Sequence, residues 1–413
     1  MKPLSQTDMA EATRLTLEGR LDEATALLRA ATRATVRPAN SPEAEPEREP
    51  ASPRGAPEIM DLVPPSAATG DCWTFPSRAR TERGSKESQY SRTDRDVGDQ
   101  ADKELPRTYS RTPRAGTRAL ILPEGARFEE RVFTNHAGTR RYKLYIPSSF
   151  TGEAAPLVMM LHGCTQSPDD FAAGTRMNLL AEEFGFLVAY PAQPKSANPS
   201  KCWNWFRPGD QCRDQGEPAL MAGMAQQIAT DFPIVRSQIY AAGLSAGGAA
   251  AAILGATYPD TFAAVGVHSG LACGAATDIP SAFRAMRQGG SGAKPHPRSG
   301  PSRPMPTIVF HGDRDTTVSP VNGDHVIEQA KANADLKRSI RSGDSHGGVK
   351  YTCTVEADEA GRTIVEHWVL HGCGHAWSGG SAEGSYTEPR GPDASREMIR
   401  FFFQHRTKST AEP

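Results

Sequence analysis

The pattern of apolar and polar positions changes near residue 118, where regularly spaced apolar runs begin. Alternation of the two types over residues 128–135 and 140–147 predicts a β-hairpin at the edge of a sheet. Continuous apolar runs such as 156–162 and 262–269 are typical of buried parallel strands. Segments of helical period separate these runs, so the pattern predicts an α/β fold whose mostly parallel central sheet has helices on both faces.

The same pattern gives the remaining elements of this domain. Further strands are predicted at residues 186–191, 238–244, 307–311, 351–356 and 363–370, and helices at 169–184, 217–231, 321–334 and 395–405. Residues 274–305 are rich in Ala, Gly, Pro and Arg, and we expect them to form a mobile loop or a small lid.

The chain before residue 118 has two different compositions. Residues 1–35 carry apolar side chains at helical spacing, which predicts a helical segment that packs on the main domain, self-associates or docks on a partner. Residues 36–117 are dominated by Pro, Arg, Glu, Ser and Gly, and their sparse apolar residues cannot offset the entropy of ordering. They are predicted to be a disordered linker, which leaves residues 118–408 for the α/β domain.

Charge and hydropathy exclude some classes of protein. The net charge of -1 over 413 residues argues against a partner such as nucleic acid. No apolar run approaches the roughly 18 residues that a membrane span needs, so no transmembrane segment is predicted. Residues 1–10 lack the apolar core of a signal peptide, and this favours the cytoplasm.

The seven cysteines form no C-x-x-C pairs, so their spacing argues against a zinc site. Cys202 and Cys212 are close enough in sequence to close a short disulfide loop around Trp203 and Trp205. Buried reduced thiols in a cytosolic protein explain the same cysteines equally well.

One turn, Gly243-Leu244-Ser245-Ala246-Gly247, follows a predicted strand and precedes an Ala-rich helix. This G-x-S-x-G pattern is typical of a nucleophile elbow, in which a strained turn lifts the serine hydroxyl clear of the sheet. The glycines keep side chains out of the close contact between strand and helix, and the helix directs free N–H groups towards the serine. The pattern predicts Ser245 as a nucleophile, with a plain strand–turn–helix corner as the alternative.

A serine nucleophile needs a base and an acid, which in this type of fold follow it in the order Ser, Asp or Glu, His. Asp315 comes after one predicted strand, and His375 lies in a Gly-rich loop after the last. Asp315 is preferred to Asp313 because two more residues let the loop turn back towards the serine. His371, at the end of the last strand, is interpreted as a structural loop residue.

Acyl transfer also needs hydrogen-bond donors for a developing oxyanion. The segment His162-Gly163-Cys164 follows an early strand, where the oxyanion-hole loop of such a fold is expected. The backbone N–H groups of Cys164 and Ala246 are therefore predicted as the two donors.

A series of motifs runs in order through the chain: His162-Gly-Cys-Thr-Gln166, Cys202-Trp-Asn-Trp-Phe206, Gly216-Glu217, Gly243-Leu-Ser-Ala-Gly-Gly248, His268-Ser-Gly270, His311-Gly-Asp-Arg-Asp315 and Gly374-His-Ala-Trp-Ser-Gly-Gly380. Together they resemble the poly(3-hydroxybutyrate) depolymerase family of esterases, which is related to feruloyl and acetylxylan esterases of the α/β-hydrolase fold. The resemblance covers residues 125–405 approximately. It implies a serine esterase with Ser245, Asp315 and His375 as its triad, working without a metal or cofactor.

The resemblance implies an ester substrate whose chemistry stays open. Short-chain 3-hydroxyalkanoate esters are expected first and feruloyl or acetyl esters of carbohydrates second. A non-catalytic scaffold that binds a partner through its N-terminal segments is a third hypothesis, and a peptidase of the same fold a fourth. Trp203, Trp205 and Trp377 are candidates for an apolar groove that takes the acyl group or polymer chain, with ordinary packing as the alternative.

Secreted depolymerases of this family usually carry a signal peptide and a polymer-binding domain. Neither is recognisable in this sequence, so a soluble ester or an oligomer is expected rather than crystalline polymer. The resemblance itself keeps an extracellular location open.

Overall fold

The computed structural model describes residues 122–290 and 304–407. The helical segment and linker predicted at residues 1–35 and 36–117 lie outside the described residues, so they and the domain limits stay predictions. No helix within the described ranges is long and apolar enough to cross a bilayer.

The described residues form twelve strands and seven helices. The strands are β1 (Arg127–Asn135), β2 (Gly138–Ile146), β3 (Ala155–Leu161), β4 (Leu187–Pro191), β5 (Ile234–Leu244), β6 (Ala264–His268), β7 (Thr307–Gly312), β8 (Lys337–Asp344), β9 (Lys350–Ala357), β10 (Thr363–Leu370), β11 (Trp377–Ser378) and β12 (Thr387–Glu388). The helices are α1 (Pro168–Thr175), α2 (Met177–Phe184), α3 (Gly216–Asp231), α4 (Ala246–Thr257), α5 (Ile279–Gln288), α6 (Val321–Lys331) and α7 (Ala394–Phe402), and Pro208–Gln211 form one 3₁₀ turn.

The first ten strands make one sheet in the order β1-β2-β4-β3-β5-β6-β7-β10-β9-β8. The six central strands, from β4 to β10, run parallel to one another. The β1–β2 hairpin pairs antiparallel at one edge, and β9 and β8 pair antiparallel at the other. The mostly parallel sheet and its antiparallel start agree with the prediction from the apolar pattern.

Strand β3 shows how the sheet divides the core into two layers. Its side chains alternate, so Leu157, Met159 and Leu161 face the layer that contains α3 and α4. Val158 and Met160 face the opposite layer, with α1, α2 and α7. Helices therefore cover both faces, and the carboxyl ends of the parallel strands meet at one open edge.

The structure differs from the predicted secondary structure in three places. Strand β8 was not predicted, because almost all of its residues are exposed and leave no apolar period to detect. The single helix predicted at 169–184 is two helices, since Arg176 between them adopts a left-handed conformation with φ 55°. The stretch predicted to be a loop or lid contains α5, whose N-terminus is capped by the Asp278 side chain.

Candidate active site

Ser245 lies on the turn between β5 and α4 with φ 58° and ψ -119°, a strained conformation for a residue with a side chain. Gly243 and Gly247, on either side of Ser245, leave no room for a side chain. A Cβ on Gly243 would lie 2.3 Å from the carbonyl carbon of Gly247, and one on Gly247 would lie 1.9 Å from the carbonyl oxygen of Leu161. The Ser245 N–H donates to the His268 carbonyl at 2.9 Å, so β6 helps to fix the turn. This is the geometry that the elbow pattern predicts.

Two backbone N–H groups stand beside the elbow. Ala246 begins α4, so its N–H has no acceptor within the helix. Cys164 lies in the turn after β3, where the Gly163 N–H donates to Oε1 of Gln166 at 2.8 Å. A Cβ on Gly163 would lie 3.5 Å from the Leu244 carbonyl oxygen, which places this turn against the end of β5. Neither amide has a partner within residues 122–290 and 304–407, and this suits the predicted role as oxyanion donors.

Asp315 and His375 are joined by a hydrogen bond of 2.7 Å between Oδ2 and Nδ1. The other carboxylate oxygen accepts the N–H groups of Thr317 at 2.9 Å and Val318 at 2.8 Å. Burial alone would raise the pKa of Asp315, but hydrogen bonds from His311 and His375 outweigh it and hold that pKa well below its usual range. The carboxylate is therefore charged and only accepts, so His375 carries its proton on Nδ1 and leaves Nε2 free to act as a base.

The Ser245 hydroxyl and Nε2 of His375 form no hydrogen bond with each other in the described part of the chain. Catalytic hydrogen bonds often tighten only when a substrate is bound. His268 connects the two segments: its carbonyl accepts from Ser245, and its Nε2 accepts the N–H of Ser378 at 3.0 Å. Complete burial lowers the pKa of His268 well below its usual value, so the ring stays neutral and keeps this acceptor.

The other candidate acid, Asp313, is bound elsewhere. Its Oδ2 lies 2.9 Å from Nδ1 of His371, and its Oδ1 accepts the N–H of Gly372 at 2.7 Å. Both side chains are exposed at the surface of the loop. The structure thus brings Asp315, and not Asp313, to His375, and it gives His371 a local partner of its own.

The three tryptophans considered as a substrate groove are enclosed by protein. Trp203, Trp205 and Trp377 are exposed by 1%, 6% and 1%, respectively. Nε1 of Trp203 donates to the His162 carbonyl at 3.0 Å, and Nε1 of Trp377 donates to Oγ of Ser395 at 3.1 Å. Because these indoles offer almost no surface to a substrate, the structure favours the packing alternative.

The disulfide between Cys202 and Cys212, which the spacing left open beside reduced thiols, does not form. Cys202 forms a disulfide with Cys164 instead, with Cα atoms 4.2 Å apart, and Cys212 is free and half-buried. The two bonded cysteines are 38 residues apart in sequence, so their spacing gives no sign of the pairing. They meet because the loop after β4 folds back onto the turn after β3, where the Thr165 N–H donates to the Ser200 carbonyl at 2.7 Å.

Two histidines of the site received no role from the sequence. His268 is the last residue of β6 and His311 the last but one of β7, and both are buried. His311 Nε2 lies 3.5 Å from Oδ2 of Asp315. Their position in the sequence could have indicated a role. Each lies at the end of an apolar strand, where a buried imidazole must find polar partners.

A mostly parallel sheet that presents a serine elbow, an acid and a histidine after β5, β7 and β10 defines the α/β-hydrolase class. The solved acetyl xylan esterase from Aspergillus awamori supports this fold. It matches with a TM-score of 0.50 and 21% identity, over 64% of this chain and 94% of that chain.

The sequence profile described as Esterase PHB depolymerase matches residues 140–347, and the chain belongs to this family. It is 34% identical over 251 residues to poly(3-hydroxyalkanoate) depolymerase C of Paucimonas lemoignei, covering 59% of each chain. It is 27% identical over 203 residues to a probable acetylxylan esterase A of Neosartorya fischeri, covering 46% of this chain and 54% of the relative. Feruloyl esterase B of Neurospora crassa is 30% identical over 152 residues, with coverages of 36% and 50%.

The predicted family and fold are thereby confirmed. The matched part of the chain spans only half to three-fifths of the length of these relatives. Their names agree with the prediction of a carboxylic ester hydrolase and give no support to a scaffold without catalysis.

Proposed function

We propose that the protein is a serine esterase that hydrolyses carboxylic esters with Ser245, Asp315 and His375. The observation that carries this proposal is the 2.7 Å hydrogen bond between Asp315 Oδ2 and His375 Nδ1. It fixes the tautomer in which Nε2 of His375 is an available base, on the same edge of the sheet as the Ser245 elbow. Family membership supports the reaction class.

The first half-reaction transfers the acyl group to the enzyme. The Ser245 oxygen forms a bond to the ester carbonyl carbon while its proton passes to Nε2 of His375. The carbonyl electron pair moves onto oxygen, and the N–H groups of Cys164 and Ala246 stabilise that charge. The bond to the alcohol oxygen then breaks, and His375 gives its proton to the leaving alcohol. Asp315 stabilises the imidazolium throughout.

Water completes the cycle. It attacks the acyl carbon as His375 takes its proton, and the same two amides hold the second oxyanion. The bond from the acyl carbon to the Ser245 oxygen breaks, and the serine recovers its proton from His375. The products are one carboxylic acid and one alcohol for each ester cleaved.

For the substrate, we infer short-chain 3-hydroxyalkanoate esters, in soluble or oligomeric form. The 34% identical relative is named for this chemistry, and its match of 251 residues is longer than those with the two carbohydrate-ester relatives above. Carbohydrate esters are the second candidate, because those two relatives are named acetylxylan and feruloyl esterases. Docking or self-association of residues 1–35 stays a separate prediction.

The test compares the full chain with Ser245→Ala on p-nitrophenyl butyrate, soluble 3-hydroxybutyrate oligomers, methyl ferulate and acetylated xylan. Loss of a serine nucleophile is expected to lower kcat by about 10⁶-fold while the thermal unfolding transition is retained. Ser342→Ala, at an exposed serine on β8, is the matched control. A fluorophosphonate probe should label the wild type and the control but not Ser245→Ala.

Oligomer cleavage that depends on Ser245 supports the hydroxyalkanoate substrate, and cleavage of ferulate or acetylated xylan alone selects the carbohydrate esters. Turnover in Ser245→Ala within about tenfold of the wild type would reject the nucleophile, since a triad serine contributes far more.

A further inference from the structure

A second imidazole, that of His311, lies beside the Asp315 carboxylate. Nε2 of His311 lies 2.9 Å from the Val318 carbonyl oxygen and 3.5 Å from Oδ2 of Asp315. The same Oδ2 accepts the 2.7 Å hydrogen bond from His375. The Val318 N–H returns a hydrogen bond of 2.8 Å to Oδ1 of Asp315. His311 therefore fixes both the carboxylate and the loop that holds it.

The partners of His311 define its protonation state. A backbone carbonyl only accepts, so Nε2 carries a proton and donates it to the Val318 carbonyl, with Asp315 Oδ2 at 3.5 Å. Nδ1 is buried and has no partner among the described residues. A proton on Nδ1 would place a cation where no acceptor faces it, so the neutral ring with its hydrogen on Nε2 is the form that fits this site.

The surroundings of His311 leave little room for any other group. A Cβ on Gly323, in the first turn of α6, would lie 3.1 Å from Nδ1 of His311 and 3.1 Å from Nε2 of His367. His367, on β10, is a second, mostly enclosed imidazole, and its own near charge is Asp324 at 3.5 Å. The ionisable groups around His311 are thus Asp315 in direct contact, and His268 and His367 on the adjacent strands.

We propose that His311 is a positioning residue of the reaction. It orients the Asp315 carboxylate and, together with His375, stabilises the negative charge of that carboxylate. This inference rests on the proposed function, because it requires Asp315 and His375 to act as a catalytic pair. Loss of the His311 imidazole would remove the polar contact at Oδ2 and the anchor of the Val318 carbonyl, so the misalignment of Asp315 should appear in kcat and not in KM. The negative charge of Asp315 would then act more strongly on His375 and stabilise its imidazolium form. The acid limb of the pH profile, where kcat/KM falls as the pH is lowered, should therefore move to higher pH.

The test uses the full chain and p-nitrophenyl butyrate. His311→Leu removes the donor, whereas His311→Gln places an amide N–H near the position of Nε2. We expect His311→Leu to lower kcat about 10- to 100-fold with KM changed less than about twofold, as for a lost hydrogen bond to a charged group. His311→Gln should recover most of kcat and the wild-type acid limb. His367→Leu is the matched control: it removes a neighbouring, mostly enclosed imidazole that does not contact Asp315.

A double-mutant cycle separates positioning from general stability. In the Asp315→Asn background, His311→Leu should cause no further loss of kcat, because the group through which it acts is already altered. Additive losses would overturn the proposal, as would equal losses of kcat in His311→Leu and His367→Leu. If His311→Leu does not fold, His311→Gln decides: near wild-type kcat with an unmoved acid limb supports the donor role, and a loss of tenfold or more in a folded variant rejects it.

The two proposals fail in different ways. Ester hydrolysis that persists in Ser245→Ala rejects the proposed function and this inference with it. Hydrolysis that depends on Ser245 but is indifferent to His311→Leu rejects the positioning role alone.

Discussion

Removal of the Cys164–Cys202 disulfide is expected to destabilise the fold substantially. The bond joins residues 38 apart, so it lowers the conformational entropy of the unfolded chain by about 13 cal/mol/K. This amounts to about 4 kcal/mol at 25 °C. The double replacement Cys164→Ser and Cys202→Ser should therefore lower the free energy of unfolding by about 4 kcal/mol. Domains of ordinary stability unfold with only about 5–15 kcal/mol, so the change should be plain in a urea titration.

The matched control for this experiment is Cys212→Ser, which removes a free, half-buried thiol from the loop that also contains Cys202. It should leave the urea midpoint in place, and a reducing agent should shift the wild type towards the double variant. A loss below about 1 kcal/mol in the double variant would refute the loop-entropy reasoning. It would show that the loop after β4 stays ordered in the unfolded state or that the bond strains the native fold.

The same variant reports on the proposed oxyanion hole. The disulfide anchors Cys164, but the hydrogen bond from Gly163 to Gln166 also holds that turn. We therefore expect kcat to fall by less than the roughly 10²–10³-fold that follows complete loss of one donor. Unchanged kcat under conditions where the variant is folded would mean that the Gln166 contact alone fixes the amide.

Two further predictions concern folding. Gly247→Ala should give little soluble, folded protein, since its Cβ would lie 1.9 Å from the Leu161 carbonyl oxygen, whereas Gly209→Ala, with the nearest atom 3.9 Å away, should fold normally by circular dichroism. Burial lowers the pKa of His162 from 6.5 to about 4, so below pH 6.5 the unfolded chain takes up a proton that the folded chain refuses. Urea unfolding should therefore show stability falling between pH 6.5 and about 4, with a smaller slope in His162→Gln; equal slopes would contradict this explanation.

The sequence predicted those parts of the site that depend on local pattern. The elbow needs glycines two residues before and after Ser245, and the close approach of Gly247 to β3 explains why. The choice of Asp315 over Asp313 agrees with the structure, because the longer loop brings its carboxylate back to His375. The parallel strands could be predicted equally well, since burial on both faces of the sheet leaves continuous apolar runs in the sequence.

The features that were missed depend on contacts between distant segments or on exposed surface. The Cys164–Cys202 bond joins two loops whose meeting no spacing rule indicates. Strand β8 lies at the edge of the sheet and is stabilised by its pairing with β9, which its own sequence does not reveal. For the motif tryptophans the sequence left a substrate groove and ordinary packing open, and in the structure Trp203 and Trp377 donate hydrogen bonds to neighbouring segments.

Three buried histidines lie at the carboxyl ends of strands on this edge of the sheet, and each forms a hydrogen bond with a loop. Nε2 of His162, after β3, accepts the N–H of Gln193 at 3.2 Å, and Nε2 of His268, ending β6, accepts that of Ser378. His311, in β7, instead donates to the Val318 carbonyl. Each ring joins a strand end to a loop beside a proposed site residue, and a second proton would remove an acceptor from the first two. Protonation of His162 or His268 would therefore break the hydrogen bond that its ring accepts from a loop, because each of these two bonds requires a neutral imidazole.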